Sequence, residues 1–536
     1  MDPVPADTLF EEPYDGSVAN LLTRTVDQFA DRPAVVHGGE TRTYAEFGDR
    51  VRRIAGGLHD MGLERGDRVV VHLPNGVAYC ETVWACVHAG VVASPSNPQY
   101  RRRELEYQLD HSDARAVVTS AAGEEYAVPV AEELGVEVVS ADADSDHRTL
   151  EELSERGEPT LVARDDEDIM LQPYTSGTTG KPKGVLHTHR NYRVQLAHSI
   201  ASYTAGPVRG DSLVVLPMFH LTGNNQMLAG LTTGRTLRLL RADQWDPERA
   251  LDTIEEHDVP AFGGVATMFV DLLETYTAEP DRWDLSTFVR AGQGGTKLPE
   301  PVHEEFEDVF DVSVTEGYGL TETTAATHTV PASTLGDRVG SVGQPVGHVR
   351  SKLVDPETGA EVDATGEEGE ILVKGPQVMK GYYDDPEANE AAFTDDGWFR
   401  TGDVAERDRD NYYYIKGREK DMILTGGYNV YPAEVEQTLY DHPEIHEAAV
   451  VGIPDERKGE TVAAAVSLAP GSDLEPDDIR EYVLEELAPY KHPRVVEIRD
   501  ELPKTGSGKI RKVDLREQLP EQREGAGARR SGRGDR

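Results

Sequence analysis

The stretch "YTSGTTGKPKG", residues 174–184, has the composition of a loop that holds phosphate groups. Three glycines, Gly177, Gly180 and Gly184, let the backbone approach a ligand closely and adopt positive φ. Hydroxyl and ammonium donors are interleaved with them, at Ser176, Thr178, Thr179, Lys181 and Lys183. The Walker pattern is not met, because Thr175 stands where its first glycine belongs and Pro182 follows Lys181. We therefore predict a polyphosphate-binding loop of another kind, with a flexible surface turn as the alternative.

Four later stretches carry side chains that suit the same chemistry. In "EGYGLTET", Tyr318 offers an aromatic face for a base, Thr321 a hydroxyl for phosphate, and Glu322 a carboxylate able to hold Mg²⁺. The stretch "WFRTGD" ends at Asp403, whose carboxylate can accept hydrogen bonds from ribose hydroxyls. The basic candidates are Arg418 and Lys420, in "GREKDMI", and Lys509, in "PKTGSGKI". Each motif alone is weak evidence, but together they indicate a nucleotide site.

The elements that must position these residues alternate between helices and short apolar strands. Runs such as "DRVVVHLPN" and "DSLVVLPMFH" are typical of α/β layers, in which ligands bind where the carboxyl ends of strands open into loops. From about residue 330 to 416 the sequence becomes rich in strands and turns. Helices and strands alternate again after "GREKDMI", so we predict a domain boundary near Lys420. The glycine- and arginine-rich segment 517–536 is predicted to be a disordered tail.

The net charge of -44 excludes several classes of partner. Nucleic acids and anionic membranes would be repelled by such a surface. No lysine precedes Lys181, and a dispersed acidic excess with scarce lysine favours a halophilic source, where salt screens the self-repulsion. The acidic N-terminus and the lack of about 18 consecutive apolar residues predict a cytoplasmic protein without an integral membrane segment. Cys80 and Cys86 are expected to be buried and unbridged, so no cysteine-based metal site is predicted.

Taken together, the five stretches resemble the adenylate-forming superfamily, which includes acyl-CoA synthetases, peptide-synthetase adenylation domains and beetle luciferases. The resemblance extends to about Arg516 and is nearest to CoA ligases of fatty and aryl acids, through "PMFHLTG", "GREKDMILTGGYNVYPAEVE" and "ELPKTGSGKIRK". It implies an α/β fold with a large N-terminal domain of two parallel-type sheets plus a distorted β-barrel, and a small mobile α+β C-terminal domain. The implied ranges are 1–416, with a β-rich subdomain at 330–416, a hinge at 417–421 and a lid at 422–516.

The resemblance also implies the reaction and its participants. These are ATP, Mg²⁺, coenzyme A and a small carboxylic acid, which an acid–thiol ligase would convert to an acyl-adenylate and then to acyl-CoA. A medium- or long-chain fatty acid is favoured over an aryl acid such as coumarate or benzoate. Two departures bear on this choice, since Gln293 and Lys297 stand where relatives usually carry a small residue and a proline. The residues expected to surround or approach the acyl pocket are Phe219, Asn224, Asn225, Val265 and Met268. A stand-alone enzyme that loads a carrier protein, a luciferase-like oxygenase and a non-catalytic nucleotide binder remain alternatives, and both a monomer and a homodimer remain open.

By position, the resemblance implies individual roles. The phosphate loop would comprise Thr175, Ser176, Gly177, Thr178, Thr179, Gly180 and Lys181. Adenine and ribose contacts are implied for Gly294, Gly295, Gly317, Tyr318, Gly319, Asp403 and Arg418. The implied catalytic residues are Lys509, Thr321, Glu322 and His220, with Glu322 as the ligand of Mg²⁺.

Two further implied roles concern motion and access. A lid that turns about Lys420 would first present Lys509 and later the "TGGYNV" loop, where Gly426 and Gly427 leave room for the pantetheine arm of CoA. His220 resembles a ring that separates the nucleotide from the acyl pocket, although a packed core histidine would have the same sequence signature. His187 and His189 are expected to be structural and to lie near the start of a helix.

Overall fold

The computed structural model describes residues 17–175, 182–204, 210–295, 298–331, 334, 338–425, 428–455, 459–505 and 509–519. In chain order, its α-helices are α1 (Ala19–Phe29), α2 (Tyr44–Asp60), α3 (Val77–Ala89), α4 (Arg102–His111), α5 (Ala121–Leu134), α6 (Leu150–Arg156), α7 (His189–Thr204), α8 (Leu221–Thr232), α9 (Pro247–Glu256), α10 (Ala266–Ala278), α11 (Glu300–Phe310), α12 (Pro386–Ala392), α13 (Pro432–Tyr440) and α14 (Pro476–Glu486). Short 3₁₀ turns include Thr321–Thr323 and Glu419–Asp421. Within these ranges, every helix is too short or too polar to cross a bilayer.

The strands begin with β1 (Pro33–His37), β2 (Glu40–Thr43), β3 (Arg68–His72), β4 (Val92–Pro95), β5 (Ala114–Thr119), β6 (Glu137–Ser140), β7 (Arg148–Thr149), β8 (Ile169–Leu171), β9 (Val185–Thr188), β10 (Ser212–Val214), β11 (Leu237–Leu239), β12 (Ala261–Gly264) and β13 (Arg290–Gly294). They continue with β14 (Ser313–Gly319), β15 (Ala326–Thr329), β16 (Gln344–Pro345), β17 (Arg350–Val354), β18 (Glu368–Lys374), β19 (Gly381–Tyr382), β20 (Phe399–Arg407), β21 (Tyr413–Arg418), β22 (Ile423–Thr425), β23 (Tyr428–Val430), β24 (Ile445–Asp455), β25 (Gly459–Leu468) and β26 (Val495–Ile498).

Local sequence signals set many of the helix ends. A capping box opens α2: the Thr43 hydroxyl accepts from the Glu46 N–H at 3.2 Å, and the Thr43 N–H donates to the Glu46 carboxylate at 2.8 Å. Asp246 caps α9 ahead of a proline at its first position. At the other end, Gly90 closes α3 in the left-handed conformation, which a side chain would strain. These signals fix where the chain leaves each helix for the next strand.

The largest sheet has eight strands in the order β19-β9-β8-β4-β3-β5-β6-β7. Its run β4-β3-β5-β6-β7 is parallel, as expected where helices connect successive strands. Helix α3 is buried over nearly its whole length and packs against α2, with Trp84 fully enclosed in the core between them. The phosphate-loop candidate lies between β8 and β9 of this sheet.

A second sheet, β12-β13-β14-β15-β16, carries four of the other candidate site residues, Gly294, Gly317, Tyr318 and Gly319. Strands β12, β13 and β14 are parallel, and they pack with α10 and α11 around a core that includes Phe269 and Phe306. A smaller sheet, β10-β11-β1-β2, adjoins it, and β17-β18-β20-β21 form an antiparallel sheet. The carboxyl ends of β13 and β14 therefore open toward the antiparallel sheet that carries Asp403 and Arg418.

The C-terminal sheet, β23-β22-β25-β24 with β26 paired to β25, is packed with α13 and α14. Its core is built from small β-branched and alanine side chains on β24 and β25, and Leu515 closes its other face. The predicted fold class, a large α/β part with parallel sheets and a strand-rich region followed by a smaller α+β part, is confirmed.

Candidate active site

The base of the phosphate-loop candidate is a narrow hairpin. Tyr174 and Gly184 form an antiparallel bridge, and the Thr175 N–H donates to the Lys183 carbonyl at 3.0 Å. A Cβ at position 184 would lie 2.8 Å from the Gln172 Nε2, so any side chain there would require the Gln172 amide to move. The implied phosphate contacts Ser176, Gly177, Thr178, Thr179, Gly180 and Lys181 lie outside the described residues. Thr175 and the closed base therefore mark where this loop leaves the sheet.

Thr321 is held in place by a histidine from the neighbouring sheet. It opens the 3₁₀ turn that follows β14, and His187 on β9 donates from Nε2 to its carbonyl at 2.6 Å. Burial lowers the pKa of His187 to about 4, so the ring is neutral and its single proton is used in this bond. On the other side of the turn, the Asn225 amide donates to the Thr324 carbonyl at 2.7 Å. The turn is thus fixed by groups from two other elements.

Glu322, in the same turn, has one carboxylate oxygen engaged by the protein. The Tyr382 hydroxyl donates to its Oε1 at 2.9 Å, and the Lys183 ammonium lies 4.7 Å from the centre of the Tyr382 ring. Among the described residues there is no cluster of three or more acidic, histidine or cysteine groups suited to a metal. Mg²⁺ is commonly held by one or two carboxylates together with substrate phosphates. A single carboxylate with a free oxygen therefore fits Mg²⁺ that arrives with a nucleotide.

Asp403 and Arg418 face each other across β20 and β21. The Arg418 Nε lies 3.0 Å from Asp403 Oδ1, and the Tyr318 hydroxyl donates to Asp403 Oδ2 at 2.5 Å. Burial raises the pKa of Asp403, although the Arg418 charge acts in the opposite direction. The Tyr318 ring itself packs beside His328, 5.7 Å between centres. Asp403 is therefore a buried acceptor oriented by two neighbours, and base stacking by Tyr318 stays a prediction.

Lys509 reaches the second sheet from the C-terminal part of the chain. A Cβ at Gly295 would lie 3.1 Å from the Lys509 Nζ, so the ammonium group rests against the glycine backbone. Gly295 also has φ +93°, which favours glycine. The Thr505 N–H donates to the Lys509 carbonyl at 2.7 Å and the Lys509 N–H to the Thr505 hydroxyl at 3.1 Å, which fixes the approach. Burial and the Arg418 charge lower the pKa of Lys509, and Asp403 opposes them.

His220 caps α8 close to this lysine. Its Nδ1 accepts from the Thr222 N–H at 3.4 Å. Burial lowers the pKa of His220 to about 4, and the positive charge of Lys509 contributes in the same direction. The ring is therefore neutral beside a cation, which is compatible both with a gate between two halves of a site and with a helix cap.

Most of these groups border one cavity of about 1290 Å³. Its lining includes Thr175, His220, Gly294, Gly295, Gly317, Gly319, Thr321, Glu322, Arg418 and Lys509. Lys420 instead lies exposed in the turn Glu419–Asp421, and Gly426 and Gly427 lie outside the described residues. The structure thus gathers residues from positions 175 to 509 around a single space.

Acyl-pocket expectations are met in part. Phe219 and Asn225 line the cavity, whereas Val265 and Met268 pack into the core beneath the second sheet. Gln293 alternates with Gly292 and Gly294 along β13, and its strand partner Glu316 meets His303 of α11 at 3.5 Å. Gln293 is buried and is among the residues that line the cavity, although strand alternation places its Cβ on the opposite face from Gly292 and Gly294. Lys297 lies outside the described residues.

Several side chains support the site in ways that the sequence did not predict. His187 was expected to be structural, and it is, but its hydrogen bond also orients the Thr321 turn. Tyr382, which binds Glu322, comes from the stretch "KGYYDDP", which has no motif of its own. Gln377 donates to the Ala326 carbonyl at 2.8 Å and accepts at its own carbonyl from the Thr324 hydroxyl. Among these three residues, only His187 has a signal in the sequence, as a histidine within an apolar strand.

Comparison with known proteins decides the family. The family model described as AMP-binding enzyme matches residues 22–383, and the one described as AMP-binding enzyme C-terminal domain matches residues 434–509. The chain belongs to the AMP-binding enzyme family. It is 33% identical over 541 positions to a long-chain-fatty-acid–CoA ligase of Bacillus subtilis, covering 94% of this chain and 95% of that protein. It is 36% identical over 453 positions to a feruloyl-CoA synthase of Amycolatopsis, covering 84% and 88%.

The solved structures agree with this membership. ATP-bound MatB from Rhodopseudomonas palustris superposes with a TM-score of 0.85 at 31% identity, covering 93% of this chain and 98% of that one. The predicted resemblance to adenylate-forming enzymes, with a large N-terminal and a small C-terminal part, is therefore confirmed for this AMP-binding enzyme.

Proposed function

We propose that the protein is an AMP-forming acid–CoA ligase. It joins a carboxylic acid to the α-phosphate of ATP with release of pyrophosphate, and then transfers the acyl group to the thiol of CoA with release of AMP. The observation that carries this proposal is the contact of Lys509 with Gly295, on the wall of a cavity that also includes Thr175 and Glu322. The names of the relatives, which are CoA ligases and synthases, support the same activity.

The first half-reaction requires two anions to approach each other. A carboxylate oxygen bonds to the α-phosphorus while the bond to the pyrophosphate oxygen breaks, so negative charge concentrates between acid and nucleotide. The Lys509 ammonium would supply the cation at this point, and Gly295 lets it approach the cavity without a side chain in between. Asp403 and Arg418 would orient the ribose. Mg²⁺, held by Glu322 and phosphate oxygens, would neutralise charge on the departing pyrophosphate.

The second half-reaction needs different groups at the same carbon. The CoA sulfur bonds to the acyl carbonyl, the bond to the AMP oxygen breaks, and the thiol proton is released. In the structure, Lys509 occupies the space beside Gly295, where the acyl carbonyl would lie. We therefore propose that residues 422–516 form a lid that turns about residues 417–421 relative to residues 1–416, which include the strand-rich part 330–416. Gly426 and Gly427 would then border the pantetheine path. Leu519 packs with Leu515 in the core of the C-terminal part, so the described chain is still folded beyond residue 517, where the tail was predicted to begin.

The acid is proposed to be a medium- or long-chain fatty acid. The cavity is large enough for such a chain, and one relative is named for long-chain fatty acids. Another relative is named as a feruloyl-CoA synthase, and this similarity supports an aryl acid as the alternative substrate.

A single panel assay tests the proposal. The purified protein is incubated with ATP, MgCl₂, CoA and individual fatty, dicarboxylic and aryl acids, and AMP, acyl-adenylate and acyl-CoA are quantified by mass spectrometry. AMP with thioester supports the ligase. Adenylate that accumulates without thioester would indicate loading of a carrier-protein thiol instead. Absence of both products with every acid would contradict the proposed function.

A further inference from the structure

The face of the second sheet that borders the cavity is formed by alternate residues of three parallel strands. Pairing sets Ala261 opposite Arg290 and Gly263 opposite Gly292. On the other side, Arg290 pairs with Ser313, Gly292 with Thr315 and Gly294 with Gly317. Because alternate residues share one face, Arg290, Gly292 and Gly294 point to the cavity along the middle strand. At one end of this row of β13 residues lie Gly295 and the Lys509 ammonium, and at the other end lies Arg290.

The space in front of Arg290, Gly292 and Gly294 is open and forms a groove along β13, which we call the lane. A Cβ at Gly292 would meet no atom closer than 3.9 Å, and one at Gly294 would meet the Gly317 carbonyl oxygen at 3.5 Å. Over the neighbouring strand the space is filled, since a Cβ at Gly263 would lie 2.4 Å from the Gln226 amide of α8. The free space above the sheet therefore follows β13 from the Lys509 ammonium toward Arg290.

Arg290 is the unusual residue of this lane. Its guanidinium makes no hydrogen bond or ion pair with another residue of the described ranges, and its strand neighbours Ala261 and Ser313 are too small to cover it. Arg235, a second arginine on the cavity wall, differs because it donates to the Ser212 hydroxyl at 3.3 Å. Arginines that are partly buried are usually paired with carboxylates or phosphates. The chain has a net charge of -44, yet none of the described carboxylates pairs with Arg290, so an anionic partner for its guanidinium is missing.

We infer that the missing partner is part of the substrate, and this inference rests on the proposed function. The acid that is activated at Lys509 carries a second carboxylate at its far end, which Arg290 binds. Gly294 and Arg290 are four residues apart, or about 13 Å at about 3.3 Å per residue. The two cations thus suit carboxylates separated by on the order of 10 Å. The substrate class is a straight-chain α,ω-dicarboxylic acid of medium length.

Matched pairs of acids test this inference. Octanedioic, decanedioic and dodecanedioic acids are compared with octanoic, decanoic and dodecanoic acids by kcat/KM for AMP formation. We expect the best diacid to exceed its monoacid by about 10- to 100-fold, the range of one charge-assisted pair. In Arg290→Leu this ratio should fall to about one or below, because the unpaired carboxylate must then be buried against an apolar group.

Two controls keep the result interpretable. Arg290→Lys keeps a cation and should retain part of the diacid preference, whereas Arg249→Ala, on the exposed face of α9, should leave the ratio at the wild-type value. Thermal unfolding of each variant checks that the fold is kept. A wild-type enzyme that turns over monoacids without preferring diacids, or a ratio that Arg290→Leu does not change, would overturn this inference alone. Failure with every acid would overturn the proposed function with it.

Discussion

Lys509 is a lysine in unusual surroundings, and its neighbours define what its removal should do. It is pressed against Gly295 and its pKa is lowered by burial and by Arg418. We expect Lys509→Ala to slow adenylation by about 10²- to 10³-fold, because loss of one preorganised electrostatic group typically costs that much. Pyrophosphate exchange into ATP measures this step.

The second half-reaction supplies the control for this prediction. Thioester formation from a supplied acyl-adenylate should proceed in Lys509→Ala at close to the wild-type rate, since the lysine is needed only when the two anions meet. Lys512→Ala, which removes a neighbouring lysine paired with Glu436, should leave both steps intact. Full pyrophosphate exchange in Lys509→Ala would show that another group performs this task.

Residue types and their order predicted several of the charged groups that border the cavity, whereas the predicted Tyr318 and Asp403 are not among its lining residues. Glu322, Arg418 and Lys509 are separated by up to almost two hundred positions, and their chemistry is legible in the motifs themselves. The supporting groups could not be predicted in this way. His187 and Tyr382 act through hydrogen bonds to partners 134 and 60 residues away, which only tertiary packing brings within reach.

At the scale of elements, we expect β13 to determine which acids fit, because its glycines keep the lane above the sheet open. Gly292→Leu should fill this lane midway and raise the KM for decanoic or decanedioic acid at least about tenfold relative to that for butanoic acid, since about one buried side chain of volume is displaced. Gly292→Ala is the matched control, because its Cβ would meet its neighbours at 3.9 and 4.0 Å, an ordinary contact. Equal KM changes for short and long acids would place the acyl chain elsewhere.

The turn Glu419–Asp421 is the second element with a testable role. It joins β21 to β22, and Lys420 at its centre is exposed. Lys420→Pro fixes φ near −65°, so it should slow thioester formation from supplied acyl-adenylate more than it slows adenylation. Lys420→Ala, which keeps the backbone free, should leave the ratio of the two rates unchanged. A Lys420→Pro enzyme with a normal thioester rate would contradict rotation about this turn.

Element boundaries show where the sequence is informative and where it is not. Apolar runs such as "DRVVVHLPN" correctly indicated strands of the parallel sheet. The strand-rich region was expected to begin near residue 330, yet β16, at Gln344–Pro345, pairs with β15 of the second sheet. Such a two-residue strand is defined by its partner and has no periodicity of its own. Val265 and Met268 were expected near the acyl pocket, but both side chains pack into the core beneath the second sheet. The sequence could not show this, because the direction of these side chains depends on tertiary packing.

For the whole molecule, buried histidines couple stability to pH. Six of the described histidines have pKa values lowered by burial to about 3 or 4: His72, His88, His187, His189, His220 and His328. His303 differs, because Glu316 and Glu307 outweigh the effect of burial and raise its pKa. The chain therefore holds most of its internal histidines as neutral rings.

Acidification should therefore lower the free energy of unfolding at pH values that are still above those at which carboxylates titrate. Between pH 6.5 and about 4 the unfolded chain binds protons at these six sites and the folded chain does not, so the free energy of unfolding rises with pH there. The contribution is fully present above pH 6.5 and is lost as pH falls through the folded values, with His303 acting in the opposite sense. Urea unfolding at pH 7, 6 and 5 in fixed salt should show a steadily falling midpoint at constant slope. A midpoint that is unchanged from pH 7 to pH 5 would mean that these rings are protonated within the fold. The assignment of a neutral His187 ring that orients the Thr321 turn would then be wrong as well.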